Sequence, residues 1–375
     1  MTESLHSIPT PRVYIDRARL QTNIAAMQAR ARDAGIRLRP HAKTHKSPKI
    51  ARMQIDAGAV GVCCAKLGEA EVFADAGIKD IRLPYPTNPM NANRVLTLQD
   101  RVRLSIVVDS LDVARQWSDV MTGAGRHLDV LIKVDVGFHR CGINPDAPDA
   151  LETARQIAAC PGLRFLGLLS HAGHGYHAES ADALARIAAQ EIEILTGLAD
   201  GLRTGGFDVP EISVGATPTA RFVTSQAGVT EMRPGNYVFF DRTQVGLGSA
   251  TLDQCSLSIV STVVSRPDPA RVVFDAGSKT LSSDGLRGFG HTIGYGFVYA
   301  SLEARTPDPS IVIERLSEEH SVAKVTPDCR LKPGDRVHIL PNHACVVANL
   351  TDELLLVDGP TIVDRIPVAA RARVW

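Results

Sequence analysis

Alternating strand and helix signals over residues 16–247, followed by a strand-rich remainder, predict a (β/α)8 TIM-type barrel with a C-terminal all-β domain. Three observations carry this α/β reading. Eight short β-branched runs recur between turn residues, seven amphipathic segments of helical period lie between them, and no GxGxxG follows an early strand, which removes a Rossmann sheet. The predicted strands are Arg37–Arg39, Ala59–Cys63, Ile81–Leu83, Leu104–Val108, Val130–Val134, Phe165–Leu169, Glu211–Val214 and Val229–Met232. A helix over Leu20–Asp33 precedes them. Crossover helices are expected at Ser47–Asp56, Leu67–Asp75, Pro89–Leu98, Leu111–Thr122, Asp149–Ala158, Ser180–Leu202 and Pro218–Gln226.

After Leu247 the pattern changes. Leu257–Ser265, Arg271–Asp275, Ser321–Val325, Arg336–Leu340 and Glu353–Asp358 are strand-like, with turn residues between them. Pro333-Gly334-Asp335 marks a turn, since proline presets φ and glycine admits a positive φ. The expected second domain is therefore residues 248–375, joined by a strand from residues 1–15 at Arg12–Ile15.

Composition excludes several functions. Lys plus Arg and Asp plus Glu both number 41, so no net field favours nucleic acid or an anionic membrane. No apolar run approaches the ~20 residues of a membrane span. The N-terminal MTESLHSIPTPR lacks the basic and apolar regions of a secretion signal. Seven scattered cysteines form no disulfide framework and suit a reducing compartment, so a cytoplasmic protein is expected.

In a parallel barrel, function collects at the C-terminal strand ends. RPHAKTHK follows the first strand and places two histidines and two lysines within His41–Lys46. A lysine semi-buried among cations has its ammonium form disfavoured. The free amine condenses with aldehydes, as a lysine does in holding pyridoxal phosphate as a Schiff base. A solvated basic loop is the competing reading of this stretch alone. Three further strand ends weigh against it. SHAGHGYH (Ser170–His177) groups His171, His174, His177 and Tyr176 around two glycines. SVGATPT offers Gly215, Thr217 and Thr219 as a phosphate cradle, and RPGNYVFFD offers Gly235, Asn236 and Tyr237 where barrels close a phosphate site. In VDVGFHRCG, Arg140 is a candidate buried cation facing a cofactor ring, with an ion pair to Asp135 as the equal alternative. In PNHACVVANL, His343 and Cys345 alternate by two, so on a strand they share one face. Imidazole and thiolate suit Zn²⁺, with a surface histidine beside a buried cysteine as the plain alternative.

RPHAKTHK, AGAVGVCCAKLGEAE, VDVGFHRCG, SHAGHGYH, SVGATPT and PNHAC, in that order, resemble the D-threonine aldolase and D-serine dehydratase family. These are fold-type III pyridoxal phosphate enzymes with an alanine-racemase-like barrel. The resemblance implies that Lys43, not Lys46, carries the cofactor, with Tyr176 beside it. It also implies that the GATPT and GNY loops hold the phosphate, that His343 and Cys345 bind a divalent metal, and that the chain forms a homodimer. Aldolases of the family commonly carry H-x-D where dehydratases carry H-x-C, so the pair here favours the dehydratase side. The expected reaction is β-elimination of water from a D-3-hydroxy amino acid, giving a 2-oxo acid and ammonia. Lys43 would act as α-base and the metal as Lewis acid (Zn²⁺ ahead of Mn²⁺ or Mg²⁺). Retro-aldol cleavage to glycine and an aldehyde is the alternative, with His174 or His177 as the base at the hydroxyl. A non-catalytic cofactor carrier or a racemase needs no metal domain, and the H-x-C pair argues against both.

Overall fold

The computed structural model describes residues 3–224, 228–289 and 293–375. It divides into two compact units. One comprises Ala26–Lys43, Ile50–Gly235 and Ala372–Trp375; the other comprises Met1–Ala25, Thr44–Lys49 and Asn236–Arg371.

The first unit is the barrel. Its eight parallel strands run in the order Arg37–Leu38, Glu231–Met232, Glu211–Val214, Leu163–Leu169, Leu128–Lys133, Arg103–Val108, Asp80–Pro86 and Val62–Cys63. The seam closes where Cys63 N–H donates to Pro40 O at 2.8 Å, beside a parallel bridge between His41 and Cys63. All eight predicted strands are present, with ends shifted by a few residues. The helices between them form for the expected reason. Leu111–Gly123, for example, buries Ala114, Trp117, Ser118 and Met121, a stripe at helical spacing. The predicted helix at 218–226 is only the short 3-10 turn Ala220–Phe222 in its described part; residues 225 and 226 lie outside the described residues.

The barrel interior holds charges as well as Val, Ile and Leu. Arg82 is 1 % exposed and donates to Ser105 Oγ at 2.9 Å and Glu211 Oε2 at 2.7 Å, and it also bonds Glu231. Glu231, fully buried, accepts from Arg39 Nε at 2.8 Å and Ser213 Oγ at 2.6 Å. Burial pushes the Glu231 pKa up, but Arg82 and Arg39 outweigh it and hold the carboxyl far below its usual range. Its folded-state pKa therefore lies below the unfolded value near ~4.3, so its stabilisation is complete above that pH and is lost as pH falls below it. Glu231→Gln is expected to cost about 3–5 kcal/mol at pH 7, because two buried guanidinium groups lose their shared anion. Urea denaturation checks this: the gap from wild type should narrow below pH ~4, and an unchanged midpoint at pH 7 would refute the role.

The second unit is a nine-stranded sheet. Arg12–Asp16 pairs antiparallel with Leu257–Asp268 and parallel with Glu353–Asp358, so the N-terminal strand joins this sheet as expected. Leu5, Ile8, Tyr14, Val260, Leu355 and Val357 pack together on it. Three strands carried no clear sequence signal: Phe297–Tyr299, Ile311–Leu316 and Thr361–Pro367. The turn at Pro333-Gly334 forms as predicted, with Gly334 at φ +95° and Asp335 N–H donating to Lys332 O at 3.0 Å. One expectation fails. The strand Arg336–Leu340 ends before His343, which is the N-cap of a short helix, Ala344–Asn349. The helix starts there because Asp241 Oδ2 accepts the Ala344 N–H at 2.9 Å. No helix among the described residues is long and apolar enough to cross a membrane.

Candidate functional site

In the barrel unit, the C-terminal strand ends gather a group of cations. Lys43 lies in the 3-10 turn Ala42–Thr44, and its backbone N–H donates to His41 Nδ1 at 3.4 Å. The Lys43 side chain is exposed, not semi-buried, whereas Lys46 is buried with φ +49°. Burial, then the charges of Lys43, His171, Arg233 and Lys133, push His41 well below the ordinary imidazole range. His171 is pushed the same way by burial, Lys43 and Lys133, and its Nδ1 lies 3.1 Å from Gly215 O. Lys133, 3 % exposed, is pushed down to about 7 by burial and then by Arg233. Arg233 is itself buried, bonded to Ser213 Oγ and Ser170 O, and burial lowers its pKa. Burial first, and then the surrounding cations, bias both imidazoles toward the neutral form. Such a place suits an anionic ligand.

The glycine-threonine segment adds a specific seat. Gly215 has φ +125°, and a Cβ there would come within 3.1 Å of Arg233 N, so glycine is required. Thr219 Oγ1 is occupied by Ala216, lying 3.2 Å from both its N and its O. Thr217 Oγ1 is buried and has no hydrogen-bond partner among the described residues. An orphaned buried hydroxyl beside a cation cluster is what a phosphate would satisfy. The residues present therefore fit pyridoxal phosphate. His174 is half-buried and held neutral by burial, with its Nδ1 buried and unpartnered; Tyr176 is half-buried and His177 exposed.

Arg140 departs from both of its expected roles. It is exposed, with its guanidinium 4.9 Å from the Phe138 ring centroid. Asp135 Oδ1 is instead filled by the N–H groups of Gly137, Phe138 and His139, each at 3.0 Å. The glycine in VDVGFHRCG turns the loop so that Asp135 caps backbone amides, and the Arg140 charge still adds to the lowering of Lys133 and His171. Lys133 and Arg233 were not among the residues read from the sequence. Lys133 ends the strand Leu128–Lys133, within the predicted Val130–Val134 run, which is the signal that would have found it.

In the second unit, His343 and Cys345 are hydrogen-bonded to each other. His343 Nδ1 lies 2.6 Å from Asp284 Oδ2, which leaves the other ring nitrogen for a ligand role. Cys345 Sγ lies 3.3 Å from Thr44 Oγ1, and Asn236 Nδ2 donates to it at 3.5 Å. Burial raises the Cys345 thiol pKa, but His343 outweighs burial and lowers it, so the pair favours thiolate and imidazolium. Asp241 is buried beneath them, accepting from Asn236 Nδ2 at 2.6 Å and Gln244 N at 3.0 Å. The Asn236 amide is thus committed to Asp241 and Cys345 rather than to a phosphate, and Tyr237 is fully buried. Gly235 is buried at the end of the barrel unit. A thiolate and an imidazole oriented by a carboxylate fit a divalent metal. Among the described residues no group of three or more His, Cys, Asp or Glu is arranged to hold one, so the chain offers a two-ligand set. Asp284 was illegible in the sequence because it lies 59 residues from His343.

Comparison with known proteins gives these features a lineage. Residues 15–243 match the alanine racemase N-terminal domain, and residues 256–357 match the putative serine dehydratase domain. The chain is 35 % identical over 355 residues to D-threo-3-hydroxyaspartate dehydratase of Delftia sp. (strain HT23), covering 92 % of this chain and 93 % of that protein. It is 32 % identical over 376 residues to D-threonine aldolase of Arthrobacter sp., covering 98 % and 94 %. A solved structure of a D-threo-3-hydroxyaspartate dehydratase cysteine-to-alanine mutant, described as metal-free, superposes with a TM-score of 0.92 at 33 % identity over 100 % of both chains. The chain belongs to the D-threonine aldolase and D-serine dehydratase family of fold-type III pyridoxal phosphate enzymes.

Proposed function

We propose that this protein is a pyridoxal phosphate- and divalent metal-dependent dehydratase of D-3-hydroxy amino acids, with D-serine and D-threonine as model substrates. The observation that carries the reading is the Thr44 contact. Thr44 follows Lys43 directly in the chain, and its hydroxyl lies 3.3 Å from the Cys345 sulfur. The residue next in sequence to the proposed cofactor lysine therefore touches a proposed metal ligand within the second unit. Bound pyridoxal phosphate supplies an electron sink for negative charge at the substrate Cα, and a divalent metal supplies a Lewis acid for the β-hydroxyl.

The chain's residues do the rest. Lys43 Nζ would hold the cofactor through its aldehyde and, once free, would take the Cα proton of the bound substrate. Thr217 would receive the phosphate on the loop that Gly215 turns, while Lys133 and Arg233 would offset its charge. Thr219 shapes that loop, and His171 fixes it through Gly215 O. His343 and Cys345 hold the metal and Asp284 fixes the imidazole. The Cα proton and the departing hydroxide leave as water; the released enamine then takes up water and yields the 2-oxo acid and ammonia. The 35 % identity to a relative named as a dehydratase supports this assignment, as does the thiolate in the pair. Retro-aldol cleavage is the second reading, favoured by the neutral, unpartnered His174 Nδ1 as a base and by the relative named as an aldolase. The test is product analysis with added Zn²⁺: D-serine should give pyruvate and ammonia in equal amounts, with L-serine inert. No pyruvate from D-serine, D-threonine or 3-hydroxy-D-aspartate giving only glycine, would overturn the dehydratase.

A further inference from the structure

A buried carboxylate in the barrel unit touches two of the segments given roles above, yet has none itself. Glu191 lies mid-way along the helix Ala181–Thr204 and is 1 % exposed. It occupies the helix's buried stripe, with Leu184, Ala188 and Leu195. A carboxylate in such a stripe costs stability unless donors meet it. Here one oxygen, Oε1, accepts from Ser170 Oγ at 2.6 Å, Ala172 N at 3.2 Å and Gly215 N at 3.3 Å. Ser170 and Ala172 open the segment after the strand Leu163–Leu169, and Gly215 opens the segment after Glu211–Val214. Between them, His171 reaches the same residue from its other end, its Nδ1 3.1 Å from Gly215 O. Gly215 is thus held at both its N–H and its C=O. From that fixed point, residues 216–219 close on the Thr219 hydroxyl and leave Thr217 Oγ1 buried without a partner.

We propose that Glu191 is the positioning residue that sets the phosphate loop, and that it thereby determines the preference for phosphorylated over unphosphorylated pyridoxal. This rests on the assignment of Gly215–Thr219 as that loop. If Glu191 were only glue between helix and sheet, its loss would weaken every ligand and the fold alike. As a loop-setting group, it affects the phosphate end alone.

The full chain, freed of cofactor with hydroxylamine, is titrated with pyridoxal phosphate and separately with pyridoxal, following visible absorbance. Glu191→Ala should raise the pyridoxal phosphate Kd about 10- to 100-fold, the effect of leaving buried donors unpaired, with the pyridoxal Kd nearly unchanged. Glu191→Gln keeps an acceptor oxygen in place and should restore most of the preference. Glu191→Asp, too short to reach all three donors, should fall between them, and it carries the test if the alanine variant does not fold. Equal loss of both ligands, or an unchanged preference in folded Glu191→Ala or Glu191→Asp, would overturn the proposal. Wild-type protein that binds neither ligand would instead sink the cofactor assignment itself.

Discussion

Lys43→Ala loses the visible absorbance of the lysine-bound cofactor and loses activity by at least about 10²–10⁴-fold, the range for removing a catalytic base. The loss is expected at the upper end, because the proposed mechanism uses the same amine as covalent anchor and as proton acceptor. Lys46→Ala should keep the band. The two lysines differ physically: Lys43 is exposed in its 3-10 turn, while Lys46 is buried with a left-handed backbone, its carbonyl accepting from Ala370 N at 3.0 Å. Borohydride reduction followed by peptide mapping reads the site of attachment. An adduct at Lys46 in wild-type protein would reverse the assignment.

Removing the metal, by exhaustive chelation or by His343→Ala, is expected to abolish turnover while leaving the cofactor band in place. Hydroxide is a poor leaving group, and Lewis-acid assistance worth about 4 kcal/mol corresponds to roughly 10³-fold in rate. Chelation should barely move the melting temperature, because Asp241, not a metal, holds the start of the helix that carries Cys345. The thiolate also sets the metal order: Zn²⁺ should restore more activity than Mn²⁺ or Mg²⁺. Metal content by mass spectrometry, measured beside activity, checks both. Full activity in protein shown to be metal-free would remove the metal from the mechanism.

The barrel was legible because its strands are short β-branched runs and its helices show one apolar stripe, both local signals. The polar segments proposed for the cofactor stood out because each follows a strand. What stayed hidden depends on contacts distant in sequence. Glu191 looks like any acid in an amphipathic helix until three donors from two other segments are found on it. Asp284 has no neighbour in sequence to mark it as the partner of His343. The stretch holding His343 and Cys345 was read as a strand, whereas Asp241, 103 residues away from Ala344, starts a helix there. The expected burial of Arg140 failed for a related reason: residue order does not reveal how exposed a glycine-containing loop leaves its cation.

The central claim is that the C–O bond of the substrate breaks, not the Cα–Cβ bond, and D-threonine separates the two within one sample. Proton NMR of its turnover in deuterated buffer, with Zn²⁺ supplied, follows both product sets together. The account predicts 2-oxobutyrate as the main product, with ammonia in equal amount and deuterium exchange at Cα of the remaining substrate. Glycine and acetaldehyde as the main products would contradict it and assign the chain to the aldolases.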